Sequence, residues 1–104
     1  MRSFHHIGLP TEEKQQGEIY VASTKVWVTD PEKHRYRVEF LRYEPDSTVT
    51  GPLRDLPHIA FKTDDLRREL VGQKVLLGPF EPMKGLQVAF ILKDGAVFEF
   101  MQWA

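Results

Sequence analysis

Cysteine is absent from this chain of 104 residues. Disulfides, thiolate metal sites and cysteine nucleophiles are thereby excluded, and any metal must sit on histidine and carboxylate ligands. No apolar run approaches membrane-spanning length, and the opening MRSFHHIG lacks the long apolar core of a signal peptide. Both absences lead to the expectation of a cytoplasmic protein with no membrane partner. An excess of charge of either sign is missing too: 14 basic and 15 acidic residues leave a formal net charge of −1. Binding to phosphate backbones needs a basic face, so nucleic acid is not the expected partner. Histidine is scarce, at four residues, yet two of the four stand in matching contexts.

What is present is mainly strand patterning. Residues 4–9 form a short apolar run stopped by Pro10, and TEEKQQG (11–17) reads as a loop or one weak helical turn. TKVWVT (24–29) and HRYRVEFLRY (34–43) read as a hairpin around the turn Asp30-Pro31-Glu32-Lys33. EPDSTVTGP (44–52) is rich in turn formers and marks a connection. A second strand is expected over 57–62. A short helix, DDLRRELV, follows, capped by Thr63 or Asp64 and stopped by Gly72. Residues 74–77 read as a short strand and Gly78-Pro79-Phe80-Glu81-Pro82 as loop. A final hairpin over 86–92 and 96–102 closes at Lys93-Asp94-Gly95, a strong turn signal.

The two halves repeat each other. HIGL (6–9) matches HIAF (58–61), and VEFLRY (38–43) matches FEFMQW (98–103). Each half is an opening strand, a connection and a closing hairpin. The expected organisation is a single domain over 1–104, with a first module at 1–45, a linker at 46–55 and a second module at 56–104. Thirty-three positions separate His6 from Glu39 and 41 separate His58 from Glu99, and the second half's extra helix accounts for the difference.

Alternation within a strand puts alternate side chains on one face. His6 then shares a face with Gly8, and His58 with Ala60, leaving open space beside each imidazole. His5 is expected to face the other way, and His34 to sit at a turn facing water. Glu39 and Glu99 lie mid-strand in apolar runs, away from the flanking phenylalanines. A carboxylate there is costly unless paired, hydrogen-bonded or metal-bound. Taken singly, each residue has an ordinary explanation; Glu39, for instance, can pair with Arg37 or Arg42. Taken as matched positions of a repeat, two imidazoles and two carboxylates suit a divalent first-row cation: Zn, Ni, Mn, Co or Fe. Lys62, Arg37, Lys84 and Arg54 are available to meet an anionic substrate group, and each also fits a solvated surface charge. Trp27, Tyr36, Tyr43, Phe80 and Trp103 are candidates to line a ligand cleft or a core. No phosphate-cradling loop is evident.

HHIGLP (5–10), YRVEFLRY (36–43), LPHIAFKTDDL (56–66) and GPFEPMKGLQVAFILKDGAVFEFMQ (78–102) together resemble the vicinal oxygen chelate superfamily. That superfamily includes glyoxalase I, methylmalonyl-CoA epimerase, extradiol dioxygenases and bleomycin-resistance proteins. The resemblance covers most of the chain and is strongest in the second half. It implies an α+β fold in which two paired βαβββ modules form an open curved β-barrel around one divalent metal ion. The family's ligand positions fall on His6, Glu39, His58 and Glu99. The chain departs from the pattern in two places. The first-module helix is largely missing, reduced to the polar stretch 11–17, and the turn at Lys93-Asp94-Gly95 is shortened. Three activities follow as expectations. The first is a glyoxalase-like lyase or isomerase, acting on a small molecule with adjacent oxygens through an enolate-like intermediate, with Glu99 (narrowly ahead) or Glu39 as catalytic base. The second is an extradiol-type non-haem iron dioxygenase, against which Glu39 counts as a fourth ligand. The third is a non-catalytic binding protein of the antibiotic-resistance type. A homodimer is expected to cover the sheet that the thin first module exposes.

Overall fold

The alternating segments assemble into one eight-stranded mixed sheet in the computed structural model, which describes residues 1–104. In chain order the strands are β1 (Ser3–Pro10), β2 (Ile19–Val21), β3 (Val26–Val28), β4 (Val38–Tyr43), β5 (His58–Lys62), β6 (Lys74–Met83), β7 (Leu86–Lys93) and β8 (Ala96–Trp103). Two short helices accompany them, α1 (Pro52–Asp55) and α2 (Leu66–Leu70), with one 3-10 turn at Pro31–Lys33. The sheet, in the order β2-β3-β4-β1-β5-β8-β7-β6, curls into a half-barrel. This is the expected α+β architecture, and no helix occupies the stretch between β1 and β2. Neither helix is long and apolar enough to cross a membrane.

Each half places its opening strand parallel to its closing strand, β1 beside β4 and β5 beside β8. The halves meet where β1 and β5 run antiparallel. There Ile7 lies opposite Ile59, and these are equivalent residues of the repeat. A pseudo-two-fold axis therefore passes between them.

The two faces of the second module bury different sets. Val97 and Met101 turn into the concave side with Val88, Phe90 and Leu86. Phe98 and Phe100 turn to the convex side, where α2 covers them with Leu66 and Leu70. Asp65 caps α2 by accepting a hydrogen bond from the Arg68 amide at 3.1 Å, one position beyond the expected cap. Asp94 and Gly95 both adopt positive φ, 54° and 75°, as the tight Asp-Gly hairpin requires.

Four segments differ from the sequence expectation. The strand expected over 34–43 begins only at Val38, because the chain is still turning through 34–37, with Arg37 at φ 59°. The three-residue strand β2 has no counterpart in the sequence reading; it is an edge strand whose Ile19 and Tyr20 are exposed and which buries only Val21, too little for a periodic signal. The expected loop at 78–82 is instead part of β6. Its prolines are tolerated because β6 is the sheet's other edge and its register slips repeatedly against β7. The linker is more than a connection: it contributes α1 and buries Val49 and Leu53 in the concave core. Truncating the convex-side anchor, Phe100→Ala, is expected to cost about 3–5 kcal/mol, read as a lowered urea midpoint.

Candidate metal centre

The sheet register builds the centre from two transverse rows. In one, Gly8 of β1 lies between Glu39 of β4 and His58 of β5. In the other, Ala60 of β5 lies between His6 of β1 and Glu99 of β8. Each row thus sets a small residue between an imidazole and a carboxylate, and the side chains converge over it. The space above Gly8 is fully used, because a methyl built on it would overlap the His58 ring. Ala60 has no exposure at all.

The four donor atoms meet closely. His6 Nε2 lies 3.3 Å from Glu39 Oε1 and 3.3 Å from Glu99 Oε1. His58 Nε2 lies 3.1 Å from Glu99 Oε1 and 3.6 Å from Glu39 Oε1. The two Nε2 atoms are 3.3 Å apart. All four donors lie within 4.8 Å of one another. Donors bound at about 2.1 Å to one cation stand about 3.0 Å apart in an octahedron and about 3.4 Å in a tetrahedron. The measured spacings span those values. The donor set is hard oxygen and borderline imidazole, which suits a first-row divalent ion. The residues fit such a cation.

Without a cation the four groups balance one another. Burial pulls the His58 imidazole down, but the carboxylates of Glu39 and Glu99 outweigh it and hold it up at about 9. His6 is raised in the same way, against burial, by the same two carboxylates. Glu99 is the mirror case: burial pushes it up, and the His58 and His6 imidazoles bring it down to about 2.

His5 departs from the expected outward orientation. The β1–β5 register advances from Phe4–Phe61 to His6–Ala60, so His5 is an extra residue in a bulge. The bulge re-aims His5 to the His6 side, where the two Nδ1 atoms lie 2.7 Å apart and both rings are buried. Two nitrogens at that distance share one proton. His6 needs a free lone pair on Nε2 to act as a ligand, which places its proton on Nδ1, donated to His5 Nδ1. The remaining His5 proton then sits on Nε2, 3.6 Å from Glu32 Oε2. Burial, followed by the neighbouring His6 and Arg37, lowers the His5 pKa and favours this neutral form, with Glu32 opposing. His5 is therefore an orienting neighbour of His6. Only the His-His doublet hinted at it, because no glycine marks the bulge.

The other candidates separate clearly. Arg42 is taken by Glu18, at 2.7 and 2.9 Å, and the Arg37 side chain donates to the His5 carbonyl at 2.6 Å. Neither is paired with Glu39. Tyr43, Phe80 and Trp103 line a cavity above the centre, whereas Trp27 and Tyr36 do not. Trp27 bonds Glu44 through its indole N–H at 2.8 Å, and Tyr36 is 70% exposed. His34 is half-buried at its turn, accepting from the Tyr36 amide at 3.0 Å.

No family model matches the chain, and no curated protein matches it. Among solved structures, the crystal structure of hypothetical protein BH1468 from Bacillus halodurans C-125 is similar, with a TM-score of 0.72 at 19% identity. The likeness covers 99% of this chain and 95% of that one. It establishes the fold. Fold and geometry together define a curled half-barrel, compatible with a vicinal oxygen chelate architecture, carrying a buried His/Glu cluster at metal-binding spacing.

Two outcomes are expected. The His58 value lies above its ordinary 6.5, and His6 shifts the same way. The stabilisation of the metal-free protein by these imidazoliums is therefore complete below pH 6.5 and is lost as pH rises through about 9. Urea midpoints of metal-free protein should fall across that window, and a saturating divalent cation should remove the fall, since imidazoles bind metals deprotonated. Separately, His5→Phe should weaken divalent-cation binding by about 10–100-fold. His5→Gln, which keeps an acceptor, should recover part of the loss in a chelator-competition titration.

Proposed function

We propose that the protein is a metal-dependent lyase or isomerase of the vicinal oxygen chelate type, acting on a small molecule with adjacent oxygens. The observation that carries this reading is the convergence of His6, Glu39, His58 and Glu99, of which His6, Glu39 and Glu99 line a mostly apolar cavity. A divalent cation held by these residues supplies a Lewis acid to the substrate oxygens.

The chain's own residues supply the rest. His6 and His58 are fixed by their sheet positions and, for His6, by His5. One carboxylate then serves as the base that removes a proton from the carbon beside the oxygens and returns it elsewhere. The packing of the pair supports Glu39 in that role. Glu39 is the more exposed side chain, 17% against 8% for Glu99, and stands farther from His58. The apolar part of the wall lowers the local dielectric, which strengthens charge interactions beside it.

Elemental analysis of unstripped protein is expected to find about one divalent ion per chain, with loading abolished in His58→Ala and Glu99→Gln. Metal-loaded protein should catalyse solvent-deuterium exchange at the carbon beside the oxygens of a suitable carbon acid, and Glu39→Gln should lose exchange while keeping most of the metal. Full loading in both ligand variants would remove the reading. Metal uptake without exchange for any carbon acid would leave a binding protein, and an oxygen-reactive iron form would favour the dioxygenase.

A further inference from the structure

The cavity above the cluster has a volume of about 350 Å³. That is near the lower end of the roughly 300–1,000 Å³ typical of small-molecule sites. Sixteen of its 26 lining residues are hydrophobic. Both modules and the linker contribute, with Val26 and Leu41 from the first, Val49 and Leu53 from the linker, and Phe80 and Val88 from the second.

The titratable groups on this wall are histidines and carboxylates, besides the one phenol of Tyr43. Beyond His6, Glu39 and Glu99 they are His5, Asp30 and Glu32. None of the chain's 14 lysines and arginines lines it. The cations available from sequence are turned to other partners: Arg37 and Lys62 line a surface hollow that meets this wall at His5, Glu32 and Trp103, where Arg37 donates to the His5 carbonyl at 2.6 Å and the Lys62 ammonium lies over the Trp103 ring, and Arg54 lies over the Tyr43 ring and donates to the Glu44 carbonyl at 3.4 Å. Lys84 is exposed and lines none of this wall. A phosphate, carboxylate or sulfate held against the cavity interior would meet apolar side chains, no lysine or arginine, and the carboxylates of Asp30 and Glu32. Burying an unpaired anion there is strongly unfavourable.

We infer that the site takes a compact, uncharged, hydrocarbon-bodied molecule whose only strongly polar end is its pair of adjacent oxygens. The inference rests on the chelation proposed above and narrows its substrate class. A nucleotide or anionic peptide carrier has no lysine or arginine to pair with on this wall and would have to lie outside the cavity. Recognition comes from apolar burial over the walls and from orientation at the floor. Tyr43 is the wall's phenol, and burial, reinforced by the Glu39 and Glu99 charges, raises its pKa and keeps it a neutral group.

The test is a calorimetric comparison on zinc-loaded full-length protein. The probes are the eight-carbon aliphatic hydroxyketone butyroin and an analogue of equal length ending in a carboxylate. Butyroin is expected to bind about tenfold or more tightly than the carboxylate analogue. Ile19 is 61% exposed and lines the cavity, so Ile19→Lys adds a cation without burying it. That variant should improve binding of the carboxylate analogue and narrow the ratio. Equal or tighter binding of the carboxylate analogue by native protein overturns the inference. So does failure of both probes on protein shown by elemental analysis to be loaded, which leaves the metal centre standing. Protein that takes up no zinc overturns the chelation reading itself.

Discussion

The structure is organised around one electrostatic constraint. Two imidazoles and two carboxylates must share a pocket of sheet surface largely removed from water. A buried carboxylate such as Glu99 is tolerated only when its partners are held in place. The sheet holds them by register. Gly8 and Ala60 leave the space, and the Ile7–Ile59 pairing fixes which residues stand opposite. A slip of one residue by β1 against β5 would turn His6 to the convex side, away from His58 and Glu99. The repeat, the small residues and the seam between the modules are therefore one requirement expressed three ways.

The surrounding core serves that requirement twice. Val88, Met101 and Leu86 stabilise the second module as packed side chains, and the same residues form the cavity wall. Val49 and Leu53 bring the linker onto that wall, so the connection between modules also shapes the ligand space. The first module contributes a smaller cluster of Val21, Val26 and Leu41. Its convex face has no helix, whereas the second module has α2. Burial on that side is correspondingly concentrated in one half of the sheet.

Much of this was legible in the sequence because duplication is a long-range signal. A single His-Ile-Gly run carries little information, but its recurrence with a matched Glu-Phe run singles out His6, Glu39, His58 and Glu99, and the structure brings those four together. The Asp94-Gly95 turn and the helix over Leu66–Leu70 were equally visible, since both are set by local chemistry. What stayed hidden depends on tertiary context. The bulge that re-aims His5 breaks a strict alternation without any glycine or proline to announce it. The strand through Pro79 and Pro82 is possible only at a sheet edge, and edge position is not written in a local pattern. Val49 and Leu53 looked like part of a polar linker because isolated apolar residues have no periodicity to reveal their burial.

The axis between Ile7 and Ile59 has a consequence for how a molecule lies over the cluster. Surroundings related by perfect two-fold symmetry would offer a bound molecule two equivalent orientations, exchanged by rotation about that axis. Here the symmetry is broken off the axis. His5 and Glu32 stand on the wall from the first module, while Phe80 and Met101 stand on it from the second. The two orientations therefore meet different neighbours, and any preference between them originates where the two repeats differ and not in the four ligands.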